Sequence, residues 1–128
     1  MILDSTFIND LVRGRTDAEV KLGELIDAKT PISMSTLTVF EVGIGLQGEA
    51  KQHQRRFNAT VNRIEVVPFG VAESRTAVSI QCELLDRGER VGEVNVLIAG
   101  SAIERGETVL TRNVGEFSRI DALTVETY

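Results

Sequence analysis

The sequence has few of the side chains on which most enzyme chemistries depend. Among its 128 residues there are one cysteine, one histidine and no tryptophan. A lone cysteine excludes an internal disulfide and a cysteine-rich metal site, so Cys82 is expected to be a small core residue. His53 lies between polar neighbours, in a stretch typical of a solvated helix surface. Without a well-placed histidine, catalytic triads and histidine-based zinc sites are excluded, and any catalysis must use carboxylates.

Aromatic side chains and long apolar segments are also scarce. Aromatic residues make up 5% of the chain, so the core must be aliphatic and base-stacking platforms are not expected. The longest apolar stretch, residues 96–103, is well short of the roughly 18 residues that a membrane span requires. The N-terminus shows no signal-peptide pattern. We therefore expect a cytoplasmic protein with no membrane segment.

The charge of the chain is acidic, at −5, which argues against broad electrostatic attraction to nucleic acid. A local basic strip remains possible, because one segment is crowded with Lys51, Arg55, Arg56 and Arg63. Such a run is more often only a solvated helix face. Arg112 stands apart from this strip, near the end of the sequence.

Short apolar segments alternate with segments of helical periodicity, which favours a parallel sheet covered by helices on both faces. We predict one α/β domain over residues 1–128, with a central sheet of four to five strands. The predicted strands are 2–3, 31–34, 64–67, 108–111 and 123–126. The first predicted helix ends at Gly14, the second starts at Asp17, and the third starts after Ser35 or Thr36. The remaining predicted helices cover 49–63, 71–87, 94–105 and 113–117. The inner faces of these helices are predicted to include Val20, Ile26, Phe40, Ile44 and Leu85.

The corner between the first strand and the first helix is the most informative stretch, Ile2-Leu3-Asp4-Ser5-Thr6. An apolar strand runs into a carboxylate, and two hydroxyl residues of the kind that caps helices follow it. Asp4 is therefore placed at the carboxyl end of a strand, the edge at which open α/β sheets bind ligands. The structural alternative is that Asp4 only caps a surface turn. Carboxylates at equivalent corners would favour the functional interpretation.

Polar and mostly acidic residues recur where other predicted helices begin. Five of them follow a strand or open a helix: Glu41, Glu93, Asn95, Asn113 and Glu116. Acids are common at helix N-termini for structural reasons, because the helix dipole favours negative charge there. Several acids converging on one edge would repel one another unless a cation held them together. Their hard oxygen atoms suit Mg²⁺ or Mn²⁺ rather than zinc.

Four segments, in order along the chain, resemble the motifs of PIN-domain nucleases, in particular of VapC-type toxins of prokaryotic toxin–antitoxin pairs. They are Met1–Phe7, Ser35–Gly45, Gly92–Ala102 and Leu110–Phe117. Each segment alone is a weak signal, whereas four in order are a strong one. The resemblance implies a three-layer PIN-like fold and a Mg²⁺-dependent endoribonuclease, with Mn²⁺ as an alternative ion. It also implies an RNA substrate, neutralisation by a cognate antitoxin, and a homodimer.

The resemblance also implies roles for individual residues. Asp4 would be a metal ligand, and so would the residue at the position of Asn95. The remaining candidates are, on the catalytic side, Glu41, Glu93, Asn113 and Glu116 and, on the substrate side, Arg112, Ser5 and Thr6. Among these, Glu41 would steer metal or water, and Arg112 would meet a phosphate.

Asn95 is the position that departs from the family's pattern, which has an aspartate there. A carboxamide offers one neutral oxygen to Mg²⁺ and adds no charge. Either the protein is naturally weakened, or the aspartate was replaced so that a toxic protein could be produced. One alternative function is therefore a catalytically impaired module that binds antitoxin or RNA without cleaving. The other is a phosphoacceptor domain in which Asp4 is phosphorylated.

Overall fold

The central sheet is made of five parallel strands. The structure is a computed structural model and describes residues 1–128. The strands are Ile2–Leu3 (β1), Ser33–Ser35 (β2), Glu65–Val67 (β3), Val109–Leu110 (β4) and Val125–Glu126 (β5). Their spatial order is β3-β2-β1-β4-β5, and every neighbouring pair is parallel. The predicted parallel sheet of four to five strands is confirmed.

Helices cover both faces of this sheet. One face carries Ser5–Val12 (α1), Thr16–Asp27 (α2), Thr36–Gly45 (α3) and Gln54–Arg63 (α4), and the other carries Val71–Asp86 (α5), Glu93–Arg105 (α6) and Val114–Phe117 (α7). A short 3₁₀ helix, Gly48–His53, precedes α4. The segment predicted as a single helix over 49–63 therefore consists of two helices. None of the helices has the length and apolar character needed to cross a membrane.

Neighbouring residues of the two central strands enter different cores. Ile2 and Val109 pack with residues of α5, α6 and α7, whereas Leu3 and Leu110 pack with residues of α1 to α4. This separation follows from strand geometry, because successive side chains point to opposite faces of a sheet. All four side chains are fully buried. The sheet is thus the middle of three layers, as the sequence predicts.

Five apolar residues that were predicted on inner helix faces are exposed instead: Val20, Ile26, Phe40, Ile44 and Leu85. An outer-layer helix buries one stripe, so apolar residues beside that stripe remain in solvent. In α5 the buried Ile80 and Leu84 are four residues apart, and the residue after Leu84 points about 100° away. Cys82 is also exposed. Its prediction as a core residue was wrong, because it lies two positions after Ile80 and faces away from the stripe.

Helices α5 and α6 pack closely at Gly100. A Cβ atom on Gly100 would lie 2.8 Å from the carbonyl oxygen of Glu73 and 3.1 Å from the Cβ atom of Ala77. A backbone oxygen cannot move aside unless α5 itself shifts. Glycine therefore allows this packing distance, and α6 is the helix that carries Asn95.

We expect Gly100→Ala to lower the free energy of unfolding by about 1–3 kcal/mol, the usual scale of overpacking a core. The matched control is Gly23→Ala in α2, where nothing lies within 4 Å of the added methyl group. Because alanine is the better helix former, the control should gain up to about 1 kcal/mol. Urea unfolding of the three proteins measures both changes, and an equally stable Gly100→Ala protein would contradict the close packing.

Candidate active site

The candidate site lies where the strand order reverses. The chain passes from β1 to β2 and β3 on one side, and it returns on the other side of β1 as β4 and β5. Such a switch point leaves a crevice outside the carboxyl ends of the two central strands, in which α/β proteins bind ligands. Asp4 directly follows β1, and Thr111 directly follows β4. These two residues therefore meet at the crevice.

Asp4 is a buried carboxylate held by three donors. Its Oδ1 atom accepts hydrogen bonds from the Thr6 hydroxyl at 2.7 Å and the Phe7 N–H at 3.0 Å, and its Oδ2 atom accepts one from the Thr111 hydroxyl. Asp4 is only 2% exposed. Burial raises the pKa of Asp4, and the hydrogen bonds act against this rise. Because Asp4 itself caps α1, the predicted cap at Ser5 or Thr6 was wrong, and burial excludes the simple surface turn.

Glu116 is a second anchored carboxylate. Its Oε1 atom accepts the N–H of Gly92 at 2.5 Å, and its Oε2 atom accepts the side-chain amides of Asn113 at 2.6 Å and Asn95 at 3.3 Å. The Asn113 amide, followed by the Gly92 N–H, lowers the pKa of Glu116. Glu116 is therefore ionised at neutral pH, and it ties the start of α6 to α7.

A continuous chain of hydrogen bonds links the two carboxylates. The Thr111 hydroxyl donates to Asp4 and accepts the backbone N–H of Asn113 at 2.8 Å. The Asn113 side chain donates to Glu116, which also accepts from Asn95. We call these five residues the carboxylate network. Four of its members were proposed from the sequence, namely Asp4, Asn95, Asn113 and Glu116. Thr111, which the sequence indicated only as the end of a strand, connects them.

Three other candidate residues lie outside the carboxylate network. Glu41 is half-buried in the second turn of α3, and Glu93 is the exposed first residue of α6. Residues two positions apart on a helix do not face each other, so Glu93 does not share the contact of Asn95 with Glu116, although Glu93 and Glu116 line one cavity. The Ser5 hydroxyl is buried and has no hydrogen-bond partner. The catalytic or substrate roles of these residues stay predictions.

The guanidinium of Arg112 is paired with two carboxylates. Its Nε atom donates to Asp10 at 2.9 Å and its Nη2 atom donates to Asp17 at 2.5 Å. This pairing lowers the pKa of Asp17 and raises the pKa of Arg112. Nothing in the sequence pattern indicated Asp10 or Asp17, because both are far from Arg112 along the chain and belong to no motif. Phosphate binding by Arg112 stays a prediction.

The donor chemistry of the site fits a hard divalent cation. The side chains of the carboxylate network are carboxylates, amides and a hydroxyl, all of which offer oxygen. No three or more His, Cys, Asp or Glu side chains lie together as a closed metal cage. Mg²⁺ needs only one or two carboxylates, because it keeps several of its waters. The buried Asp4 accepts hydrogen bonds from neutral donors only, so a cation would stabilise its charge.

The opposite pKa shifts of Asp4 and Glu116 make stability respond to pH in opposite ways. Because the pKa of Asp4 is raised, the folded protein binds this proton more tightly than the unfolded chain does. The contribution of Asp4 to stability therefore falls as the pH rises from the pKa of Asp4 in the unfolded chain to its raised pKa in the folded protein. Because the pKa of Glu116 is lowered in the folded protein, its ionised carboxylate stabilises the fold at pH values above the pKa of the unfolded chain. That stability is lost as the pH falls through the lowered pKa of the folded protein.

We expect Asp4→Asn to raise the free energy of unfolding at pH 7, measured in a chelator, and Glu116→Gln to lower it. Asparagine caps a helix as well as aspartate does, so the first change removes the charge, and it also requires the Thr111 hydroxyl to accept from the amide instead of donating to a carboxylate. The gain should disappear as the pH falls below the unfolded pKa of Asp4, where both states are protonated. Urea unfolding at several pH values measures the two effects. A loss of stability in Asp4→Asn at pH 7 would contradict an uncompensated buried charge.

The fold and the site define a class of protein. The protein has a three-layer α/β fold, a buried carboxylate at the switch point of a parallel sheet and a site built from oxygen donors. The sequence profile of the PIN domain family matches residues 1–123. The chain belongs to the PIN domain family.

Relatives of the chain within this family are ribonucleases named VapC. Ribonuclease VapC2 of Rickettsia felis is 26% identical, over 99% of this chain and 96% of its own length. The tRNA(fMet)-specific endonuclease VapC of Shigella flexneri is 33% identical, over 73% of this chain and 72% of its own. A solved structure of DNA-bound VapBC from Salmonella typhimurium has a TM-score of 0.89 at 24% identity, over 98% of this chain and 96% of that chain. That likeness shows a shared fold.

Proposed function

We propose that the protein is a Mg²⁺-dependent endoribonuclease and the toxin of a toxin–antitoxin pair. The observation that carries this proposal is the buried Asp4 at the switch point, linked by hydrogen bonds to Glu116 and Asn95. The names of the VapC relatives support the reaction class. Mn²⁺ would replace Mg²⁺, because both ions prefer hard oxygen ligands.

The side chains of the site divide into those that hold the cation and those that orient its ligands. Asp4 and the Oδ1 atom of Asn95 would hold the cation, which supplies polarisation of the scissile phosphate and a water of lowered pKa. Thr6 and Thr111 fix the two oxygens of Asp4 by donating to them. Glu116 accepts from the Nδ2 atom of Asn95, which leaves Oδ1 as the amide atom that can bind an ion.

Two further side chains would act on water and substrate. Glu41 supplies a carboxylate from α3, the helix that follows the strand beside β1, and would orient the attacking water. Ser5 has a buried hydroxyl without a hydrogen-bond partner. The proposal of a substrate role for Ser5 rests on its place beside Asp4 at the start of α1.

Cleavage of single-stranded RNA tests the proposed function. In the purified protein, and at a higher rate in Asn95→Asp, Mg²⁺ or Mn²⁺ should support cleavage, a chelator should stop it, and the added ion should restore it. Folded protein that cleaves no RNA with either ion would reject the proposal. Cleavage that continues in the chelator would reject its metal dependence.

The second candidate function is a PIN-fold module that binds antitoxin or RNA without cleaving. The observation that favours it is Asn95, because an amide adds no charge beside the carboxylates of Asp4 and Glu116. The same assay, run on the unsubstituted protein and on Asn95→Asp, separates the two functions. Cleavage by the unsubstituted protein supports the nuclease, whereas cleavage only after Asn95→Asp supports an impaired module.

We further propose that a small antitoxin silences the site with a basic arm. Neither Asp4 nor Glu116 is paired with a basic side chain, and arginine binds carboxylates through two parallel hydrogen bonds. Among proteins of the same fold, solved VapBC complexes support an antitoxin partner. Co-purification from the native host should yield a small protein with a basic segment. Repeated isolation of the chain alone would count against it.

The proposed assembly is a homodimer. α3 exposes two large apolar side chains one turn apart, Phe40 at 68% and Ile44 at 58%. Residues four apart lie on the same helix face, and a contiguous exposed apolar patch favours a contact site. Sedimentation of the purified chain should therefore show a dimer, and a species that stays monomeric at high concentration would contradict it.

A further inference from the structure

A cluster of charged and aromatic side chains lies beside the carboxylate network and joins it through the backbone of Arg112. It consists of Arg112, Asp10, Asp17 and Tyr128, and we call it the Arg112 clamp. We propose that this clamp makes Arg112 a positioning residue, which fixes the turn from Thr111 to Asn113, rather than a ligand of the substrate phosphate. The inference rests on the proposed function and gives one of its residues a different task.

Two of the three guanidinium nitrogens of Arg112 donate to carboxylates within the chain. Nε donates to Asp10 at 2.9 Å and Nη2 donates to Asp17 at 2.5 Å. The Nε atom of Arg15 lies 3.7 Å from Asp10 and 3.6 Å from Asp17. Two guanidinium groups thus face two carboxylates, and their charges cancel. The cluster offers no excess positive charge to a phosphate.

Tyr128 closes the clamp from the segment after β5. Its hydroxyl donates to Asp10 at 2.7 Å, and the central carbon of the Arg112 guanidinium lies 4.5 Å from its ring centre, within range of a cation–π contact. Its ring meets Phe7 edge to face, with the centroids 4.9 Å apart and the planes at 89°. Phe7 is fully buried, and its N–H donates to Asp4. Tyr128 therefore connects Arg112 to the helix that carries the site.

The backbone of Arg112 transmits this anchoring to the carboxylates. Its N–H donates to the Thr6 hydroxyl at 3.0 Å, and that hydroxyl donates to Asp4 at 2.7 Å. The residue before Arg112 is Thr111, which donates to Asp4, and the residue after it is Asn113, which donates to Glu116. Fixing Arg112 therefore fixes three of the hydrogen bonds that orient both carboxylates. Small misplacements of catalytic groups are costly, because catalysis depends on their orientation.

Tyr128→Phe tests the clamp with little disturbance to packing, because it removes one oxygen atom and keeps the ring. In nitrogen-15 NMR spectra, we expect the Nε–H resonance of Arg112 and the backbone N–H resonances of Arg112 and Asn113 to move. The control is Ser79→Ala, which removes an exposed hydroxyl from α5 and should leave these resonances in place. Unmoved resonances in Tyr128→Phe would overturn the clamp, whether or not the protein is a nuclease.

Arg112→Gln separates positioning from phosphate binding. If Arg112 bound a phosphate, the substitution would lower the steepness of the plot of log K against log salt concentration, for binding of single-stranded RNA, by about 0.7. Positioning predicts the same slope and KM as in Arg75→Gln, an equal charge change on exposed α5. In the Asn95→Asp background it also predicts a kcat about tenfold lower than that of the Arg75→Gln control.

The outcomes of these two experiments are distinct. A reduced slope or a raised KM in Arg112→Gln, relative to Arg75→Gln, would overturn the positioning role. Arg112→Lys should recover only part of kcat, because lysine keeps the charge but lacks the planar fork. If none of the proteins binds or cleaves RNA, the proposed function fails, and the resonances of Tyr128→Phe still decide for or against the clamp.

Discussion

Replacing Asp4 by asparagine in the Asn95→Asp background is expected to lower kcat/KM for RNA cleavage by about 10²–10³-fold, on the scale of losing one electrostatic contact in a transition state. The carboxylate is 2% exposed and lies at the switch point of the sheet. Asparagine keeps the helix cap and can accept from Thr6 through its Oδ1 atom, whereas its Nδ2 atom must donate to the Thr111 hydroxyl rather than accept from it. Initial rates at saturating Mg²⁺ and at several RNA concentrations measure the loss.

A matched control distinguishes this loss from a general effect of removing charge. Asp86→Asn makes the same chemical change at the exposed last residue of α5 and should leave the rate unchanged. Undiminished cleavage in the Asp4→Asn protein would remove Asp4 from the site. A comparable loss in Asp86→Asn would show that the assay reports net charge.

Restoring aspartate at position 95 is expected to raise the cleavage rate by about tenfold or more, because a negative charge a few ångströms from a dication is strongly stabilising. Asn95 lies at the start of α6, where its Nδ2 atom is 3.3 Å from Oε2 of Glu116. An aspartate there would repel Glu116 until a cation binds. The variant should therefore be less stable than the parent chain in a chelator and should regain stability with Mg²⁺.

Rates and thermal unfolding of the unsubstituted protein and of Asn95→Asp, with and without Mg²⁺, test this expectation. Equal rates and equal stabilisation by Mg²⁺ in both proteins would mean that position 95 is not a ligand. If Glu93→Gln then abolished cleavage in both, the third acid would have to be reassigned to Glu93. Glu93 is the exposed first residue of α6, two positions before Asn95, and it lines a cavity together with Glu116.

The parts of the site that are encoded locally could be predicted from the sequence. An apolar pair followed by Asp4 indicates a strand that ends in a carboxylate. Helix starts at Glu93 and near Asn113 place further polar groups at the same edge of a parallel sheet. These inferences need only strand and helix signals over a few residues, and the strands confirm them.

The contacts between distant segments could not be predicted from the sequence. The hydrogen bond from Thr111 to Asp4 joins residues 107 positions apart and depends on β1 and β4 being neighbours. The Arg112 clamp depends likewise on where α1, α2 and the end of the chain meet. The exposure of Phe40 and Ile44 was missed for another reason. α3 is apolar on most of its surface, so periodicity alone does not show which side faces the core.

Calorimetric titration with Mn²⁺ tests most directly whether Asp4 and position 95 together hold a divalent cation. The comparison is between the Asn95→Asp protein and the same protein with Asp4→Asn, with Asp86→Asn as the control. We predict one saturable site in Asn95→Asp and in the control, and an affinity lower by about tenfold or more after Asp4→Asn, because the buried carboxylate supplies charge to the ion. Equal Mn²⁺ affinity with and without the Asp4 carboxylate would contradict a metal centre at this switch point.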